Sequence, residues 1–105
     1  MHNFQLVASI PEVIGAVVSD LQGTLLQSSG EIDAESIGAV VGYSTGLLAS
    51  AGAELGLGHL GRFVLAGPTR TCIVTIQHQE LLGVYIDSSR PVANFEKKLD
   101  AILQR

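Results

Sequence analysis

Positions 36–53, between Glu35 and Glu54, form eighteen consecutive residues without a single charge. No proline interrupts the run, and its apolar side chains recur at helical spacing, which predicts one long helix. A helix on the surface of a soluble monomer carries a polar face opposite its apolar stripe. This run has none, so most of its circumference is expected to be covered. Four glycines lie inside it, Gly38, Gly42, Gly46 and Gly52, each costing a helix about 1 kcal/mol relative to alanine. Whole-domain stability is only about 5–15 kcal/mol, so packing has to offset that loss.

At 100° per residue the large side chains Ile37, Val40, Val41, Leu47, Leu48 and Leu55 gather on one side, read as the core stripe. Gly38, Gly42, Gly46, Ala49 and Ala53 form a second side of small residues. Such spacing lets another backbone approach closely, and this side is expected to be a self-association face. A run of this length sits at the lower limit for a membrane span. Only five of its residues are Ile, Val or Leu, however, and its flanks Asp33, Glu35 and Glu54 are acidic, without the Lys/Arg bias of a cytoplasmic flank. No membrane insertion is expected.

The 105 residues suit one domain. A hydrophobic content of 47% with 15% charge excludes disorder. The net charge of −4 argues against nucleic acid or an anionic membrane as partner. The lone Cys72 cannot form an internal disulfide, so a reducing cytoplasm is the expected compartment. No basic stretch leads into an apolar one at the N-terminus, so no signal peptide is expected. With so little charge, part of the surface is expected to be covered in use.

Along the chain, His2 to Ser9 reads as a short helix with Phe4, Val7 and Ala8 on one face, stopped by Ile10-Pro11. Val13–Asp20 is a near-continuous apolar run, as in a strand buried on both faces. Leu21-Gln22-Gly23 turns the chain into a second strand over 24–28. Asp33 is the expected N-cap of the long helix, and Gly56 its stop. Three further strands follow over 60–66, 70–77 and 80–87, linked by hairpin-length turns that make the sheet antiparallel. Ser88 or Ser89 is expected to cap a last helix, with Pro91 in its first turn and Val92, Phe95, Leu99, Ile102 and Leu103 as its stripe. The order is α-β-β-α-β-β-β-α, with helices expected on both faces of the sheet.

Residues 56–61, Gly-Leu-Gly-His-Leu-Gly, match G-x-G-x-x-G. That fingerprint binds pyrophosphate when a strand leads in and a helix leads out. Here a helix leads in and a strand leads out, so the segment reads as a helix stop and link. There is no P-loop motif. His2, His59 and His78 have no ligand spacing to one another or to Cys72. Cys72 alternates with Val74 and Ile76, which puts it on the core face of a strand. An enzyme using Cys72 and a histidine ranks last among the readings. Glu31, Asp33 and Glu35 cluster where negative charge suits a helix N-terminus, and they are also candidate partner contacts. No catalytic residue, metal or cofactor is expected.

The stretch Val13-Ile14-Gly15-Ala16-Val17-Val18-Ser19-Asp20-Leu21-Gln22-Gly23-Thr24-Leu25-Leu26 resembles the opening hairpin of the roadblock / dynein-light-chain family. An Ala/Gly-rich helix follows at the family's distance, and Gly83-Val84-Tyr85-Ile86-Asp87-Ser88 resembles its last strand entering the C-terminal helix. The resemblance covers nearly the whole chain. It implies a profilin-like α+β fold, with helices about a five-stranded antiparallel sheet. It also implies a homodimer through the central helix and third strand, joining two sheets into one. Gly38, Gly42, Gly46, Ala49, Ala53, Leu60 and Phe63 are the residues expected at or near that interface. Its roles are non-enzymatic: dynein cargo adaptors, scaffolds for Ras-like GTPases, and bacterial regulators of a small GTPase governing gliding-type polarity. The leading expectation is a homodimeric module that binds a small Ras-like GTPase. The alternatives are a small-ligand sensor, with Ser44 and Thr45 as polar contacts and Tyr43 as a lesser one, and a dynein-type adaptor light chain.

Overall fold

The computed structural model describes residues 3–104. Its elements are α1 (Phe4–Ala8), β1 (Val13–Asp20), β2 (Leu25–Ser29), α2 (Ala34–Glu54), β3 (Arg62–Ala66), β4 (Arg70–Gln77), β5 (Glu80–Asp87) and α3 (Val92–Leu103). The predicted α-β-β-α-β-β-β-α order is the observed one. The expected helix start at His2 lies outside the described residues. The strands form one antiparallel sheet in the order β2-β1-β5-β4-β3.

Alternation along the strands makes two cores. On one face α1 and α3 cover Ala16, Val18, Ile73, Leu82, Val84 and Ile86 with Phe4, Val7, Phe95 and Leu99. On the other, α2 lies over a smaller cluster of Val41, Cys72, Val74 and Leu81. Central β5 has Leu81-Leu82-Gly83-Val84 buried without a break, because both its faces are covered.

The β1–β2 turn is fixed by Asp20, whose Oδ1 accepts from the backbone N–H of Gln22 and Thr24 at 2.9 and 3.0 Å. Gly23 closes the turn at φ +88°, a region that favours glycine. The turn then presses its backbone against α2. A Cβ placed on Gly42 would come within 2.7 Å of the Gly23 Cα.

That contact overturns part of the expected facing of α2: Ile37 and Val41 of the predicted stripe do pack on the core, but the rest of the stripe does not. The buried residues of α2 are Gly38, Val41, Gly42, Thr45 and Gly52, while Val40, Leu47, Leu48 and Leu55 of the supposed core stripe are exposed. The hairpin backbone approaches too closely for large side chains, so glycines line the packed side. Thr45 satisfies its buried hydroxyl by donating to the Val41 carbonyl at 2.7 Å. α2 has the length and composition of a membrane-crossing helix; here its N-terminal half is fastened to its own sheet.

Asp33 caps α2, accepting from the Ser36 N–H. At the other end Gly56 takes φ +73°, with Gly56 N–H on the Ala53 carbonyl and Leu57 N–H on that of Gly52. This is a Schellman stop. The expected cap of α3 is different: Pro91 occupies the N-cap position without a side-chain hydrogen bond. Ser89 instead closes a turn on Asp87 Oδ1, and Ser88 donates to the Gly67 carbonyl.

Candidate interaction surface

α2 packs mainly on β1, β2 and β5 and leaves the β3–β4 side of the sheet less covered. Between the helix and those strands runs an open groove of about 220 Å³. Ser36, Ile37, Val40, Val41 and Ser44 line it from the helix; Phe63, Leu65, Cys72, Val74 and Tyr85 line it from the strands. Above it the helix surface carries Tyr43 at 71% exposure, Val40 at 61% and Leu47 at 56%, and β3 adds Leu65 at 54%. Large apolar side chains gathered this way on an exposed surface make it a candidate contact site.

The residues expected at the interface fall into separate places. Gly38 and Gly42 are not available to a partner, because the chain's own hairpin already covers them. Gly46 is open, with nothing within 4 Å of its would-be Cβ. Ala49, Ala53 and Leu60 share a shallow cleft with Gly56, Gly58 and His59. Phe63 lies in the apolar groove. Val40, Leu47 and Leu65, which sequence reasoning missed as surface residues, dominate the exposed face. Their signal was the absent polar face of the helix.

β3 is held from behind by Arg62. Its Nε donates to Thr75 Oγ1 at 2.9 Å, and its guanidinium reaches Glu96 at 2.9 Å and Asp100 at 2.6 Å on α3. Burial opposes the charge on Arg62, but these two carboxylates outweigh it and hold the guanidinium firmly protonated. Glu31, Asp33 and Glu35 are exposed around the start of α2, where Asp33 also serves as the cap and Glu35 borders a small cleft with Gly23, Thr24 and Leu25.

Burial pushes the Cys72 thiol up, against the opposing hydrogen bond with its cross-strand neighbour Tyr85. A reactive thiol needs the reverse shift. Burial, together with the neighbouring Cys72, pushes Tyr85 up to about 12. No histidine lines the groove. Among the described residues no group of three or more His, Cys, Asp or Glu could hold a metal ion. Of the polar groups proposed for a ligand, Ser44 lines the groove, Thr45 is committed to its own helix, and Tyr43 points to solvent.

No family model matches the sequence, and no curated protein does. Solved structures do match. The roadblock/LC7 domain from Streptomyces avermitilis superposes with a TM-score of 0.82 at 19% identity, over 96% of this chain and 88% of that one. The chain has the roadblock fold. MglB of Myxococcus xanthus shares it at a TM-score of 0.83 and 14% identity, over 92% of this chain and 82% of its own. So does the gliding protein MglB of Thermus thermophilus, at 0.80 and 14%, over 96% and 80%. The roadblock fold is thus preserved here across very different sequences.

Proposed function

We propose that this chain is a non-enzymatic, homodimeric roadblock module that binds a small Ras-like GTPase and modulates its activity or localisation in the cytoplasm. One observation carries this reading: the uncovered apolar face of α2, continuous with the edge strand β3. A second copy seated there would bury Val40, Leu47 and Leu65 and lay a second helix over the less covered half of the sheet. Phe63 and Leu60 lie on or beside the same strand. The likeness to MglB, whose structures include a gliding protein and a tetrameric arrangement, supports a regulatory assembly. Glu31, Asp33 and Glu35 then remain outside the dimer contact as an acidic surface for the GTPase. The test is binding to Ras-like GTPases loaded with a GTP analogue or with GDP. A regulator discriminates between the two forms; equal binding would leave a passive scaffold, and no binding would remove the GTPase from the reading.

The groove favours one other reading, a small-ligand sensor with Ser44 as its polar contact. A dimer that covers the groove and a ligand that fills it make opposite predictions about self-association.

A further inference from the structure

Between the half of α2 gripped by the β1–β2 hairpin and the start of β3, residues 46–60 belong to neither core. Every one of them except Gly52 and the half-buried Leu60 is exposed, and both hydrophobic clusters take their members from outside the stretch. The backbone bonds that close its helix end stay within it: Leu55 N–H donates to the Ala51 carbonyl, Gly56 N–H to Ala53 and Leu57 N–H to Gly52.

Both ends of the stretch are anchored. Before it, Thr45 is buried and donates to the Val41 carbonyl, a type of bond that bends helices. After it, the Gly61 carbonyl accepts from Ile76 N–H, and Arg62 is clasped by Thr75, Glu96 and Asp100. In between, nothing lies within 4 Å of a Cβ placed on Gly46, Gly52, Gly56 or Gly58, so no neighbour grips the chain at those points.

Helix propagation has to hold this half of α2 by itself. Propagation gains a factor of about 1–1.6 per residue for good helix formers near 0 °C, and a glycine is about fivefold worse than alanine. Gly46 and Gly52 therefore cancel most of what residues 47–51, Ala53 and Glu54 gain. Opening also uncovers little new apolar surface, because Leu47, Leu48, Leu55 and Leu57 are exposed already. A segment packed so sparsely opens at a fraction of the cost of global unfolding.

We propose that residues 46–60 form a strap that opens and closes as one unit, hinged at Gly46 and Gly61, while the sheet and the first half of α2 stay folded. The strap carries Leu47 and runs directly into β3. On the homodimer reading above, a second copy seated over Leu47 takes the closed form, so association and closure favour each other. That coupling rests on the homodimer; the opening itself does not.

Hydrogen exchange read by mass spectrometry tests the strap on the full chain above and below its association concentration. Leu65→Asp, outside the strap, supplies the monomer if dilution does not. In the monomer, amides of residues 50–57 are expected to exchange at least about a hundredfold faster than those of residues 40–45, and to slow on self-association. Gly46→Ala/Gly52→Ala is expected to slow exchange in the strap by about ten- to twentyfold, since the two replacements multiply. Equal protection of the two halves in the monomer, or an unchanged rate in the double variant, overturns the strap. Equal opening in monomer and dimer overturns its coupling to association. Fast exchange in a chain that is monomeric at every concentration supports the strap and overturns the homodimer.

Discussion

The two faces of the sheet share the same strands and are finished in opposite ways. On the α1/α3 face, Phe4, Val7, Phe95 and Leu99 are all at most 1% exposed, and the core is complete within one chain. On the α2 face the helix packs through Gly38, Val41 and Gly42, while Val40, Tyr43, Leu47 and Leu48 are exposed. One face holds the fold together. The other leaves large apolar side chains uncovered.

The largest effect that tests this contrast is Phe95→Ala, which empties a fully buried position and is expected to cost about 3–5 kcal/mol of stability. Leu47→Asp on the open face is expected to leave the folded monomer within about 0.5 kcal/mol while abolishing self-association. Chemical denaturation with light scattering separates the two outcomes. If Leu47→Asp unfolds the chain as Phe95→Ala does, the faces are not distinct.

The glycines of α2 sharpen the contrast. Gly42→Ala drives a Cβ to 2.7 Å from the Gly23 backbone, so the turn or the helix has to shift. Overpacking costs about 1–3 kcal/mol, only partly offset by the gain of about 1 kcal/mol in helix propensity. Gly46→Ala meets nothing within 4 Å and is expected to stabilise the fold by up to about 1 kcal/mol. Thermal melts of the two variants should therefore shift in opposite directions. Equal shifts would mean that the hairpin does not dock on Gly42.

A smaller effect lies in Tyr85, raised from 10.0 to about 12 mainly by burial. A raised folded-state pKa contributes stability that is full below the unfolded value and lost as pH climbs through the folded one. Stability should fall between pH 10.0 and about 12, and less steeply in Tyr85→Phe. An unchanged slope in that variant would place Tyr85 outside the buried edge of the groove.

Element order was legible in the sequence because each boundary carries local chemistry. Asp33 capped α2 as expected, Gly56 stopped it, and Val13–Asp20 was a buried strand. The facing of α2 was legible only in part. Helical periodicity sorts large apolar side chains inward, but here the deciding contact is Gly23 backbone on Gly42, made across the fold by a turn whose tightness depends on Asp20. The Arg62 clasp was hidden for a similar reason, since its carboxylates lie 34 and 38 residues away. Its local trace was the spacing of Glu96 and Asp100 by one helical turn. Ser88 and Ser89 misled as caps because Asp87 engages Ser89, and Ser88 reaches back to Gly67.

The most direct test of the open face is the light-scattering mass of the wild-type chain after size exclusion over a dilution series. A persistent species at twice the 11.0 kDa chain mass is the predicted result. A clean 11.0 kDa monomer at every concentration would contradict it, leaving Val40, Tyr43 and Leu47 exposed without a second copy to cover them.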